Sequence, residues 1–215
     1  MPNTCTIVVA AGSSTRFGAE KQFVRLAGVT VVGRAVAVAC EATDDVVVVL
    51  PAGSEWQPLP PVRAVTGGAT RTESVRAGLA AVPDDTAIVV VHDAARPLAT
   101  RAMFAAVIDA VRAGADGAIP VLPVSDTVKR VADELVVETV PRDDLVVVQT
   151  PQAFRADVLR SAHAHGAEGT DDAALVETAG GKVVAVAGDP RNVKLTVAFD
   201  LEIVRAMLDD GAGAR

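Results

Sequence analysis

Thr6-Ile7-Val8-Val9-Ala10-Ala11-Gly12-Ser13-Ser14-Thr15-Arg16-Phe17-Gly18, with Glu20-Lys21-Gln22-Phe23 behind it, is the stretch on which the fold turns. It begins as a short, β-branched apolar run and passes into small residues followed by two basic ones. Runs that are apolar on both faces read as parallel strands covered by helices on either side. Comparable runs stand at Val46 to Leu50, Ala87 to Val91, Gly117 to Leu122 and Val183 to Val186. Between and after them lie helical patterns at Val31 to Ala42, Arg71 to Ala81, Arg101 to Ala113, Ala156 to His165, Asp172 to Thr178 and Ala198 to Leu208. Strands alternating with helices predict βαβ units, and hence an α/β fold with a mostly parallel sheet. Ligands of such sheets bind beyond the carboxyl ends of the strands, so the residues just after each strand carry the chemistry.

The composition bounds the function. The 215 residues include 27 acidic and 20 basic side chains, for a net charge of −7, and only 3% are aromatic. Length predicts a single domain over 1–215. The acidic balance and the scarcity of stacking rings argue against a nucleic-acid partner. Half the residues are hydrophobic, enough to bury a core and exclude disorder. Cys5 and Cys40 make neither a disulfide framework nor a metal-ligand spacing, and both are expected to be buried thiols. No basic leader and no apolar run of about 20 residues is present, so no membrane partner is expected and the location is read as cytoplasmic.

One stretch breaks the alternation. From Ser125 to Val148 the chain has two short apolar runs about a polar Asp133-Glu134 turn, then Pro141-Arg142-Asp143-Asp144 and a third run. Residues 124–148 are expected to form a hairpin-like arm, too small to bury a core of its own. It packs most simply on the same arm of a second copy, making a homodimer, or else folds back on its own domain. Asp209 to Arg215 is expected to fray.

Three segments concentrate polar chemistry. Ala10-Ala11-Gly12 through Lys21 fits neither the dinucleotide glycine fingerprint nor the P-loop. Its small residues allow close backbone approach, its amides can form an anion-binding concavity, and Arg16 and Lys21 add positive charge suited to a triphosphate. Thr66-Gly67-Gly68-Ala69-Thr70-Arg71-Thr72-Glu73-Ser74 opens a helix that Thr70 or Thr72 can cap, with the Ser74 hydroxyl projecting back toward the loop. Backbone groups and one hydroxyl can read a pyrimidine edge. His92-Asp93-Ala94-Ala95-Arg96-Pro97 closes a buried strand with an acid and a base that are costly to desolvate without partners; a structural Asp93–Arg96 ion pair is the plainer explanation. His92 reads as an orienting or packing residue.

These segments, together with Thr150-Pro151-Gln152, Thr170-Asp171-Asp172-Ala173 and Asn192-Val193-Lys194-Leu195-Thr196, occur in one order that resembles the 2-C-methyl-D-erythritol 4-phosphate cytidylyltransferases of non-mevalonate isoprenoid biosynthesis, from about residue 6 to about 208. The resemblance implies a three-layer, Rossmann-like nucleotidyltransferase fold with a protruding β-arm. It also implies an enzyme that joins CTP to methylerythritol phosphate and releases pyrophosphate. By position it assigns catalysis to Arg16, Lys21 and Lys194. Nucleotide binding falls to Ala10, Ala11, Gly12, Gly68, Ser74, Asp93 and Ala94, and polyol-phosphate binding to Asp93, Arg96, Thr127, Arg142, Thr170 and Lys194. Thr127 and Arg142 would come from the partner subunit. The implied cofactor is Mg²⁺, held mainly through the CTP phosphates with no protein ligand set. The chain departs from the family pattern at Val9, in a shortened loop before Lys21, and at Val197 to Asp200, where proline is frequent. Ribitol 5-phosphate is the alternative acceptor, and a non-catalytic nucleotide-binding regulator is the alternative from another class.

Overall fold

The computed structural model describes residues 3–12, 17, 20–59, 61–164 and 168–213. Its core is an eight-stranded sheet in the order β10-β7-β11-β6-β1-β4-β5, with β12 also on β7. The strands are β1 (Thr4–Val9), β4 (Asp45–Leu50), β5 (Arg63–Thr66), β6 (Ile88–Asp93), β7 (Gly117–Pro123), β10 (Val146–Val148), β11 (Gln152–Arg155) and β12 (Val183–Ala187). Parallel pairing joins β1 to β4 and β6, β4 to β5, and β7 to β12. In this sheet, among the described residues, β10 and β11 alone run against their neighbours. The mostly parallel α/β sheet expected from the alternation is therefore the one found.

Helices cover both faces, as continuous apolar strands require. Val8, Val48 and Val90 point to one side, where α1 (Val31–Ala42) and α3 (Arg101–Arg112) pack. Ile7, Val49 and Val91 point to the other, against α2 (Arg71–Leu79), α4 (Ala156–His163) and α5 (Asp172–Thr178). A third cluster, around Leu26, Val31, Leu195 and Val204, ties α6 (Ala198–Gly213) to the small hairpin of β2 (Arg25–Leu26) and β3 (Val29–Thr30).

Two expectations are corrected. Cys5 is buried, its thiol pushed up to about 12 by desolvation, but Cys40 is exposed. The buried side of α1 is Val31, Val32, Ala35, Val36 and Ala39. At 3.6 residues per turn, Cys40 falls roughly 100° from the centre of that stripe. The tail expected to fray from Asp209 continues α6 to Gly213, because extending a formed helix adds one bond per residue fixed, unlike starting one.

The arm is a separate two-stranded sheet of β8 (Val128–Ala132) and β9 (Leu135–Val140). Its turn residues Asp133 and Glu134 have φ of 47° and 67°, the pair of positive values that a two-residue hairpin turn demands. Val146–Val148, at the end of the expected arm, lie in the main sheet against Val121 to Pro123. Among the described residues no helix is long and apolar enough to cross a membrane.

Candidate active site

The carboxyl ends of β1 and β6, the loop between β5 and α2, and the segment before α6 meet around an open cleft of about 460 Å³. Backbone bonds fix these loops to one another. Ala10 N donates to Val49 O, Ala94 N to Val9 O, Gly67 N to Leu50 O and Leu195 N to Ala95 O, all at 2.8–3.0 Å. Ala10, Ala11, Gly12 and Ala94 line the cleft.

The loop into α2 is shaped by its cap. Thr70 Oγ1 accepts from Glu73 N at 3.1 Å, and the Glu73 carboxylate accepts from the amides of Ala69 (2.6 Å) and Thr70 (3.2 Å), a complete capping box. In the run 67–70 this leaves the Gly68 amide as the one without a partner among the described residues. Ser74 Oγ turns back and donates to Thr70 O at 2.9 Å, as its place on the first turn of the helix predicts. Gly67 has no room for a side chain: a Cβ there would lie 2.4 Å from Ala11 Cβ and 2.7 Å from Ser74 Oγ. The glycine lets the two loops touch.

Asp93 is buried at the end of β6, yet its partner is not Arg96. Its Oδ1 lies 3.2 Å from Arg71 Nε, and its Oδ2 lies 2.7 Å from Lys194 Nζ. Burial alone would raise this carboxyl, but the two cations outweigh it and hold it well below the usual carboxylate range. Arg96 instead donates to the carbonyls of Asn192 (2.8 Å) and Val148 (3.2 Å), tying the end of β10 to the segment that leads to Lys194. Lys21, in a one-turn 3-10 helix (Lys21–Phe23), donates to Leu195 O at 2.7 Å. Lys21 and Lys194 thus converge on one short segment, and both line the cleft.

His92 is fully buried, 3.1 Å from Thr150 Oγ1 and tilted against Phe104. Desolvation lowers its pKa to about 4, and it is absent from the cleft lining, in keeping with the orienting or packing residue expected from the sequence. Thr170 is exposed just ahead of α5, and Thr127 and Arg142 are exposed on the arm, where Arg142 donates to Ser125 O. None of these three is among the residues lining the cleft of this chain. Arg16 lies outside the described residues.

Sequence reasoning gave no role to Arg71, Asp172 or His163. Arg71 was quoted within its glycine motif, and its position carried a signal: it is the first residue of α2, where the helix dipole disfavours a cation unless something else holds it there. Asp93 and Asp172 do so, raising its already high pKa despite burial.

Residues 4–210 match the family described as "IspD: 2-C-methyl-D-erythritol 4-phosphate cytidylyltransferase". The 2-C-methyl-D-erythritol 4-phosphate cytidylyltransferase of Rhodococcus jostii is 46% identical, over 96% of this chain and 95% of its own length. That of Nocardia farcinica is 45% identical, over 94% and 93%. The crystal structure of the enzyme of the same description from Thermus thermophilus superposes with a TM-score of 0.84 at 36% identity, covering 96% of this chain and 98% of that one. Fold, motif order and similarity over nearly the full length agree, and the chain belongs to the 2-C-methyl-D-erythritol 4-phosphate cytidylyltransferase family.

Proposed function

We propose that this cleft holds CTP and 2-C-methyl-D-erythritol 4-phosphate together and that its cations, rather than an acid–base pair, carry the transfer. An oxygen of the polyol phosphate attacks the α-phosphorus of CTP. The bond from that phosphorus to the β-phosphate bridging oxygen breaks, giving CDP-methylerythritol and pyrophosphate. A phosphate monoester is already an anionic nucleophile, so alignment and charge neutralisation suffice. The observation that carries this reading is that Lys21 and Lys194, held at neighbouring positions of one segment, line the same cleft as the small-residue loop Ala10 to Gly12.

Each group has a task. The backbone of Ala10 to Gly12 lies along the triphosphate. The Gly68 amide and Ser74 hydroxyl face the pyrimidine, which is left to polar reading because no aromatic ring lines the cleft among the described residues. Lys21, with Arg16, neutralises charge moving onto pyrophosphate, and Lys194 meets the two reacting phosphates. Asp93 is not a base, since both its oxygens are engaged by cations and its pKa is depressed; it fixes Lys194. It is also the one carboxylate lining the cleft among the described residues. The lining therefore fits Mg²⁺ only as an ion arriving on the phosphates of CTP, where it would neutralise part of the triphosphate charge.

The arm completes the site in this reading. Val131, Leu135, Val136 and Val137 are 57%, 69%, 62% and 55% exposed, a patch that water would not favour on an isolated hairpin. We assign it to a second copy, in a cytoplasmic homodimer whose arms bring Thr127 and Arg142 to the neighbouring polyol-phosphate site, with Arg96 and Thr170 at its edge. Pyrophosphate release should be measured with four nucleoside triphosphates against methylerythritol phosphate and ribitol 5-phosphate. Turnover confined to CTP with methylerythritol phosphate is expected. Preference for ribitol phosphate would move the assignment to that acceptor, and no release with either would make the chain a nucleotide-binding regulator.

A further inference from the structure

The charged groups around the cleft continue into the protein interior. Lys194 Nζ lies 2.7 Å from Asp93 Oδ2, and Arg71 Nε 3.2 Å from Asp93 Oδ1. Arg71 Nη1 lies 2.8 Å from Asp172 Oδ2, and Asp172 Oδ1 lies 3.1 Å from His163 Nε2. The chain spans β6, α2, α5 and α4, and its inner end is dry: the side chains of Asp172 and His163 are 1% and 3% exposed. His163, on the last turn of α4, does not line the cleft. We propose that His163 is a positioning residue for the cytidylyl transfer, acting through Asp172 and Arg71 on the Asp93 carboxylate that holds Lys194.

A buried carboxylate needs both oxygens satisfied. Arg71 satisfies one oxygen of Asp172 and can reach only one of Asp93, because its guanidinium is shared between them. The second oxygen of Asp172 depends on His163. Nδ1 of that ring is buried with no partner among the described residues, whereas Nε2 faces a carboxylate oxygen, which only accepts, so the donated proton belongs on Nε2. Without the donor, Asp172 relieves its bare oxygen most cheaply by drawing the Arg71 fork into a bidentate grip, which withdraws Nε from Asp93. Asp93 is then left to Lys194 alone and ties that ammonium more tightly, away from the arriving phosphate. The groups that face the pyrimidine, Gly68 and Ser74, are untouched by this rearrangement. The defect therefore belongs to the polyol-phosphate half of the reaction.

The inference rests on the function proposed above, so wild-type turnover with CTP and methylerythritol phosphate is the control; its failure would count against that reading and not against this one. His163→Leu and His163→Asn remove the donor at the Nε2 position, whereas His163→Gln keeps an amide N–H near it. Steady-state rates per CTP-binding site and melting temperatures should be compared for all four proteins. Leu and Asn are expected to lower kcat/KM for methylerythritol phosphate by about tenfold, the scale of a small misplacement at a reacting centre, leaving KM for CTP near wild type. Gln is expected to restore most of the loss. The proposal is overturned if Leu and Asn leave turnover intact, if both substrates suffer equally, if Gln is as impaired as Leu, or if the loss is only a smaller fraction of competent sites. If Leu does not fold, Asn against Gln makes the same comparison, and failure of both to fold would make His163 a folding residue only.

Discussion

Single side chains in this cleft are held by partners far away in sequence, and that governs what substitutions do. Lys21 and Lys194 have similar charge but different anchors, a carbonyl and a buried carboxylate. Lys21→Ala and Lys194→Ala should each lower kcat by about 10²–10³, the usual loss for one preorganised cationic or donor group. CTP affinity, measured by equilibrium binding, should fall much less. Gly67→Ala is a steric test, since its Cβ would sit 2.4 Å from Ala11 Cβ. A cost of about 1–3 kcal/mol is expected, with a raised KM for CTP because the nucleotide loop must move. Gly68→Val instead strikes Glu73, whose Cβ lies 2.4 Å from the added atom, so the capping box suffers before any base is crowded. His92 gives a pH prediction. Its folded pKa of about 4 lies below the ordinary 6.5, so the unfolded chain binds the extra proton between those values and stability falls as the medium is acidified through that window. From pH 7 to 5 the loss from this ring is about 2 kcal/mol, and urea unfolding of His92→Gln should lack that component. Asp93 has the same sign in a lower window: its depressed pKa gives stability present above the ordinary carboxylate value of 3.8 and lost only as pH drops toward the folded value. Little of this pairing was legible beforehand. Arg96, three residues from Asp93, was the natural partner on paper, whereas the actual ones are 22 and 101 residues away.

Elements were legible where periodicity was strong and packing one-sided. α1 and α5 have the limits expected from the sequence. β11, four residues that pair antiparallel between β6 and β7, carried no comparable signal because Gln152 and Arg155 end it and only Ala153 and Phe154 are apolar. Caps explain how elements start where they do. The departure at Val197 to Asp200, which lacks a helix-starting proline, is made good by Asp200: its Oδ2 accepts from Thr196 N at 2.5 Å and Val197 N at 2.8 Å. A carboxylate in the first turn also complements the helix dipole. Asp200→Ala should therefore cost about 1 kcal/mol, as loss of a cap does. Because Lys194 and Leu195 lie immediately before this start, KM for methylerythritol phosphate should rise with it. Thermal unfolding and steady-state kinetics on the one variant check both parts. A fall in stability with kinetics unchanged would separate the α6 start from the site.

At the scale of the molecule, most of the parallel strands of the sheet follow from the apolar runs and antiparallel β11 does not, but the arm is where one chain's physics is incomplete. Its two strands bury little, its Val and Leu side chains face water on both sides of the ribbon, and its turn is built from Asp133 and Glu134 at positive φ. A two-stranded hairpin is marginal by itself, so its persistence calls for a surface to lie on. A two-fold partner supplies one that is self-complementary. In that assembly each polyol-phosphate site draws Lys194 from its own chain and Arg142 from the other. Arg142→Ala and Lys194→Ala proteins should then be nearly inactive alone and partly active when unfolded together and refolded as mixed dimers. In the heterodimer, the site of the Arg142→Ala chain keeps its own Lys194 and receives an intact Arg142, while the other site lacks both. Random pairing makes half the dimers mixed with one sound site in two, so about a quarter of wild-type activity is expected. Placing both substitutions on one chain tests the geometry further: a heterodimer of Arg142→Ala/Lys194→Ala with the unsubstituted chain has no sound site if the arms cross and should be inactive, whereas it would keep one if each arm served its own subunit. Heterodimers verified by differential tagging that show no recovery, or a fully active monomer, would mean that each arm serves its own subunit.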